Sequence, residues 1–296
     1  MMKLGFSTVA CTDYDYKDII KSAIKNNMQG VEIRLDRQNR LFGLEGEAVS
    51  LMTKEFFASG ISITDLGTSI DMKGYSEAQI NTAKNCIDLA QSVGAKGIRI
   101  FLGNFSRLFS GYGNYDYDGI VSALKKICEY AQTTSVDVWI ETHNEFSTGK
   151  VLKKLIEHVG SESLKIIWDI IHPYEVGEKP SETMQYIGDK IAHVHIKDGV
   201  NVDDEDVASY VYTKLGEGEL PVGEIVKLLL KNNYDGHFSL EWESMWRPEI
   251  RDIYSNLDDV LDAYNKFMDN ILLLNTAFVY LTHKSRFKIS SYVRFM

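Results

Sequence analysis

Four side chains, Glu141, Asp169, His195 and Glu241, stand near the ends of four successive strand-like runs, VDVWIETH, LKIIWDIIH, IAHVHIKD and HFSLEWE. Three carboxylates and one imidazole make a donor set for one hard-to-borderline divalent ion. Carboxylates put Mn2+ first, with Mg2+ beside it, and the single imidazole also admits Co2+, Zn2+ or Fe2+. In a strand every second side chain shares a face. If Glu141 points inward, Trp139 lies below it and His143 above it. By the same alternation His193, His195 and Lys197 share one face, and Ser239, Glu241 and Glu243 another. Glu32 and Arg34 line the earlier run GVEIR, and Arg99 lines GIRIFLG. Ionisable groups are costly to bury unpaired, so this concentration fits a wet, functional mouth better than a core.

Residues so far apart in sequence meet when each ends a strand of a β/α barrel, because such strand ends share one mouth. The chain carries the pattern for it. Strand-like runs fall at 4–9, 30–34, 61–67, 97–103, 136–142, 165–169, 191–197 and 237–243. Helical periodicity separates them, at 15–27, in EAVSLMTKEFFASG, and near 77–93, 117–131, 148–159 and 178–188. Gly60 and Gly94 read as helix stops, and Pro221 as the first residue of the helix PVGEIVKLLLKNN. A long polar loop follows the seventh strand. Eight such units predict an α/β fold, a single closed (β/α)8 barrel over 1–268 that carries catalysis. The rival, an open doubly wound sheet, would want a G-x-G-x-x-G at a strand-to-helix turn, and none is present. Residues 269–296 read as a C-terminal extension with no assigned role. From Ile271 onward it has no Asp or Glu, while Lys284, Arg286, Lys288 and Arg294 are basic. Its run ILLLNTAFVYL is too short and interrupted to span a bilayer, and packing on the barrel is the plain expectation.

A net charge of −10 argues against a sequence-independent grip on a phosphate backbone, so no nucleic-acid partner is expected. Three widely spaced cysteines, Cys11, Cys86 and Cys128, suit a reduced compartment. The N-terminus MMKLGFSTVA reads as a first strand rather than a signal peptide, so a cytoplasmic protein without a membrane partner is expected. Fold-level analogy also allows a homo-oligomer.

Each residue has a bland reading beside the chemical one. Glu141 or Glu243, taken singly, is more often a solvated or paired strand-end acid. His193 lies one step deeper than His195 and is expected to be structural and hydrogen-bonded. His158 and His237 fall outside the strand ends and read as surface residues. Trp139, Trp168 and Trp242 read as core or pocket wall, and Cys11 as a small filler. Asp169-x-x-His172 alone is weak. The coincidence across four strands is what chance explains poorly.

With those motifs in place, the chain resembles the xylose isomerase-like TIM-barrel superfamily, which includes D-tagatose 3-epimerase-like, inosose isomerase and dehydratase, hydroxypyruvate isomerase and endonuclease IV branches. The resemblance runs from about Leu4 to Met268 and rests on Glu-Thr-His at 141–143, Asp-Ile-Ile-His at 169–172, His-Val-His-Ile-Lys-Asp at 193–198 and Ser-Leu-Glu-Trp-Glu at 239–243. It implies Glu141, Asp169, His195 and Glu241 as metal ligands, and His172 as a contact to a substrate oxygen. Lys197 sits where branches differ. Trp246, Arg247 and Pro248 would close over a sugar, and Arg34, Arg99 and His143 would add substrate contacts. The implied activity is a sugar or polyol isomerase/epimerase, in which Glu141 and Glu241 move a proton next to a carbonyl and the metal stabilises the enediolate. An inosose-type dehydratase is the alternative, with Lys197 or His172 protonating the departing hydroxyl. An abasic-site nuclease ranks lower, because the corresponding strand ends carry Thr64-Asp65 and Phe101-Leu102 instead of further ligands. A non-catalytic sugar-binding barrel is the reading from another class.

Overall fold

Each barrel strand places one set of side chains outward against helices and the other inward, and the two sets differ in chemistry. The computed structural model describes residues 2–37, 39–41, 43–103, 115–202 and 210–273. Its barrel strands are β1 (Lys3–Ser7), β2 (Gly30–Leu35), β3 (Ser62–Thr68), β4 (Gly97–Leu102), β5 (Asp137–Glu141), β6 (Leu164–Asp169), β7 (Ile191–Ile196) and β8 (His237–Leu240). All pair in parallel, in the order β3-β2-β1-β8-β7-β6-β5-β4, and the pairing of Leu66 with Ile98 joins β3 to β4 and closes the barrel. The closed (β/α)8 barrel expected from the sequence is therefore the fold. A two-residue strand, Asp71–Met72, adds to the upper edge of β4.

The outward set is apolar and fully covered. Phe6, Val31, Ile33, Ile98, Ile100, Val138, Ile140, Ile166, Val194, Ile196 and Phe238 are all buried. At about 1.5–3 kcal/mol for each large apolar side chain buried, this shell is the main force holding helices to sheet. The helices facing it are α1 (Tyr16–Lys25), α2 (Gly46–Ser59), α3 (Glu77–Val93), α4 (Tyr117–Ala131), α5 (Gly149–Val159), α6 (Pro180–Ile187) and α7 (Val222–Lys231). The last, α8, spans 257–273. Asp15 caps α1 by accepting from the amides of Lys17 and Asp18, and Ile19, Ile20 and Ala23 turn inward. Gly60 and Gly94 end α2 and α3 in the left-handed conformation that glycine adopts without a steric penalty, as expected. The inward set is mostly polar or glycine, with Trp139 and Ile167 as buried apolar members. At Gly97 a Cβ would lie 2.2 Å from Cε2 of Trp139, so the missing side chain lets the indole cross the barrel.

Several boundaries differ from the sequence reading for local reasons. β1 stops at Ser7, whose hydroxyl accepts from the Val9 amide and turns the chain into a 3-10 helix over Thr8–Cys11. The β8 ladder ends at Leu240, although the Glu241 amide still donates to the Ile196 carbonyl at 3.1 Å. Pro221 is the N-cap of α7 rather than its first residue. The loop after β7 contains an unexpected antiparallel pair, Gly199–Asn201 with Tyr210–Tyr212. A boundary at 268 falls inside α8, whose Ile271 is buried. Residues 274–296, with the basic part of the extension, lie outside the described residues. No helix among the described residues is long and apolar enough to cross a membrane.

Candidate metal centre

Glu141, Asp169, His195 and Glu241 end β5 and β6, lie on β7 and follow β8, so they occupy one arc of four adjacent strands with the two glutamates at its ends. A one-residue register shift between β6 and β7 brings this about. Ile166 pairs with Ile191, but Ile167 pairs with His193 and Asp169 with His195. Without the shift Asp169 would stand level with Val194 and the two ligands would face opposite ways, which is how a bulge re-aims a side chain. One ligand atom from each of the four residues lies within 4.8 Å of the others, and none of the residues is more than 3% exposed. His195 Nδ1 is 3.5 Å from Glu141 Oε1 and 3.2 Å from Glu241 Oε2, yet has no hydrogen-bond partner among the described residues. The Thr142 hydroxyl and the Asp169 backbone exchange hydrogen bonds of 3.0 and 2.9 Å, which fix the Asp169 main chain, and the Ile171 amide donates to Asp169 Oδ1 at 3.2 Å. A buried nitrogen aimed between converging carboxylates fits a divalent ion, and these four residues would hold it.

Cations from the structure surround the quartet. Arg99 on β4 places Nη1 2.8 Å from Glu141 Oε2 and 3.7 Å from Glu241 Oε1. Arg34 on β2 lies 3.5 Å from Glu241 Oε1 and 3.3 Å from Asp36. Lys197 Nζ is 2.7 Å from Asp169 Oδ2 and 2.7 Å from Glu243 Oε1, and it also bonds Glu241. Burial alone would raise every carboxyl here, so the charges decide the outcome. Arg99 overcomes burial at Glu141 and holds it well below the usual carboxylate range. At Glu241, His195 and Lys197 do the same. Asp169 stays raised, because burial outweighs Lys197 and His172. At His195 the surrounding glutamates, Glu241 first, outweigh burial and raise it.

The remaining sequence-predicted residues fall in three places. His172 stands at the site, with Nε2 3.4 Å from Asp169 Oδ2 and Nδ1 3.0 Å from Glu175 Oε1. His143 packs edge-on against it at 4.4 Å between ring centres. Arg247 is at the rim, its guanidinium 4.0 Å above the Tyr212 ring, and the exposed Trp246 lies 5.8 Å from the Arg34 guanidinium. Arg99 is not at the mouth. It is fully buried and donates to Glu141 and the Thr68 carbonyl, so its contacts here are with the site's own residues.

His193 also departs from expectation: neither ring nitrogen has a hydrogen-bond partner among the described residues, and the ring stacks on Trp139 at 5.6 Å. Burial, then the charge of His195, pushes it down to about 3. His237 is half-buried at the opposite end of the barrel rather than on the surface, whereas His158 is exposed. Thr64 and Asp65 lie within β3, which runs on to Thr68, so they are not a strand end. Cys11 and the three tryptophans Trp139, Trp168 and Trp242 are buried fillers as expected. Glu175, Asp36 and Tyr212 were not foreseen; the first two follow strand ends, but Tyr212 sits on a hairpin with no sequence signal. Tyr212 donates to Glu243 Oε1 at 3.3 Å.

Known proteins sharpen this picture. A 169-residue match at 27% identity to an uncharacterised protein of Methanocaldococcus jannaschii spans 55% of the chain and 56% of that protein. Fructoselysine 3-epimerase of Shigella flexneri is 23% identical over 84% of the chain and 93% of its own length. 3-Dehydroshikimate dehydratase of Bacillus anthracis is 25% identical over 86% and 91% respectively. The crystal structure of the IOLI protein with a zinc atom bound superposes with a TM-score of 0.75 at 15% identity, over 91% of the chain and 98% of that one, which speaks for the fold. The family model for the xylose isomerase-like TIM barrel matches residues 20–264, and the chain belongs to that family.

Proposed function

We propose that the chain is a divalent-metal-dependent isomerase or epimerase of a sugar or polyol, acting by proton transfer next to a carbonyl. One observation carries this reading: Glu141 and Glu241 stand at the two ends of the ligand arc, Glu141 in direct ion-pair contact with Arg99 and Glu241 with Lys197. A divalent ion bound there would supply Lewis acidity toward a carbonyl oxygen and its neighbour. Glu141 and Glu241 then face a bound substrate from two directions, one taking the carbon-bound proton and the other returning a proton. Arg34, whose buried Nε has no partner among the described residues, is placed to hold a substrate oxygen. His172, Arg247 and Trp246 shape the rest of the mouth. The relatives named above include both a sugar epimerase and a dehydratase, which supports the chemistry at the level of its class. The three cysteines form no disulfide, which suits the cytoplasmic setting proposed for it.

A dehydratase is the second reading, and Lys197 favours it. Its ammonium lies within 2.7 Å of Asp169 and Glu243, where it could deliver a proton to a departing hydroxyl. Metal analysis, followed by a deuterium-exchange screen of ketoses, inososes and hydroxypyruvate in heavy water, tests both. Metal-dependent exchange lost in Glu141→Gln and Glu241→Gln supports the first reading, and wild-type exchange in both variants would sink it. Ultraviolet absorbance from an unsaturated diketone, lost in Lys197→Met, selects the dehydratase.

A further inference from the structure

His195 is held from both sides, and only one of those sides belongs to the ligand quartet. Its Nδ1 faces Glu141 and Glu241, while its Nε2 lies 2.7 Å from Glu32 Oε2. Glu32 comes from β2, across the barrel, and is completely buried. It is fixed in turn. The Ser7 hydroxyl donates to its Oε1 at 3.0 Å, and Arg99 Nη1 stands 4.0 Å from the same oxygen. Room for it exists because residue 67 is glycine: a Cβ there would lie 2.6 Å from Glu32 Oε1. A neutral imidazole offers a lone pair on one nitrogen only if the proton sits on the other. A buried, anchored carboxylate oxygen 2.7 Å from Nε2 settles that choice.

We infer that Glu32 is a positioning residue for the metal ligand His195, accepting its Nε2–H so that the Nδ1 lone pair is aimed at the ion. This rests on the metal-binding part of the proposed function. Such outer carboxylates orient a metal-bound histidine and raise its donor strength. Ser7 extends the chain by one more link, from hydroxyl to carboxylate to imidazole.

The test measures Mn2+ and Zn2+ affinity by titration calorimetry in wild type, Glu32→Gln, Glu32→Leu and Ser7→Ala, with a thermal melt of each as the folding control. Loss of the acceptor in Glu32→Leu should weaken binding about 10–100-fold, whereas the glutamine oxygen still accepts and limits the loss to the lower end of that range. A purely space-filling Glu32 would not move the second readout, the imidazole 15N spectrum of the zinc-loaded protein. There the His195 Nε2–H resonance should persist in wild type and Glu32→Gln and be lost in Glu32→Leu. If Glu32→Leu does not fold, Glu32→Gln decides: unchanged affinity overturns the inference, as does a zinc-bound Nε2 in wild type. Wild type that binds no divalent ion sinks the metal reading and this inference together. Binding insensitive to Glu32 sinks this inference alone, and binding without turnover leaves it standing.

Discussion

Removing Arg99 should destabilise the metal-free protein far more than the metal-loaded one. Arg99 has no exposed surface and sits against Glu141, Glu241 and Glu32 at 2.8, 3.7 and 4.0 Å. Its guanidinium also lies 4.3 Å from the Phe101 ring centre. Arg99→Met keeps most of the stem's length and apolar contact but leaves three buried carboxylates without their common cation. Breaking a buried pair in this way costs about 3–5 kcal/mol, because the remaining charge loses both its partner and its water. For a domain of this size, about 2 °C of melting temperature follows each kcal/mol, so the chelator-treated variant should melt about 6–10 °C below wild type. Two controls make the argument specific. Adding Glu141→Gln removes the most exposed consequence of the change, so the double variant should lose less than the sum of the single losses, by about 0.5–3 kcal/mol. Saturating Mn2+ should narrow the gap, because the ion supplies positive charge to Glu141 and Glu241. Differential scanning fluorimetry with and without chelator reads all of these. A metal-free Arg99→Met that melts within about 1 °C of wild type would refute the electrostatic account, since the expected cost is several-fold larger.

Glu141→Gln and Glu241→Gln should each slow metal-dependent carbon–hydrogen exchange by about 10²–10⁴-fold, measured by mass gain in heavy water. Metal at about 100 times its dissociation constant should stabilise the native state by about 2.7 kcal/mol, and chelation should reverse the rise in melting temperature. Gly97→Ala would press a methyl into Trp139, 2.2 Å from Cε2, and should cost at least about 1–3 kcal/mol in a urea titration. At the far end of the barrel, burial and then Lys3 push His237 down to about 4. A histidine depressed in the folded state contributes stability above its unfolded value near 6.5, and that contribution is lost as pH falls through the folded value. Wild type should therefore lose about 1–3 kcal/mol between pH 6.5 and 4 that His237→Asn does not lose, read from melting temperature against pH.

Period-2 and period-3.6 patterns were enough to read the barrel and the convergence of its four candidate ligands, because both follow from which residues must face a common core. Glu141, Asp169, His195 and Glu241 were legible for that reason, and so was the inward direction of Arg99. Its depth was not legible. Alternation gives a side chain's face but not its layer, and Arg99 lies beneath the ligands only because barrel closure staggers β4 against β5, pairing Arg99 with Trp139. Bulges were invisible for a related reason. The shift at Ile166 and Ile167 aligns Asp169 with His195, and another between β2 and β3 leaves two residues, Thr64 and Asp65, between the outward-facing Ile63 and Leu66. An inserted residue changes pairing without leaving a mark on composition. Glu32 combines both difficulties, since it faces inward like Arg34 yet meets His195 from across the barrel, 163 residues away in the chain. The chemistry of a ligand can be read along one strand, but its orientation depends on a strand three places away around the barrel. For that reason the residues that tune His195 had to come from the closed barrel rather than from the motif that contains it.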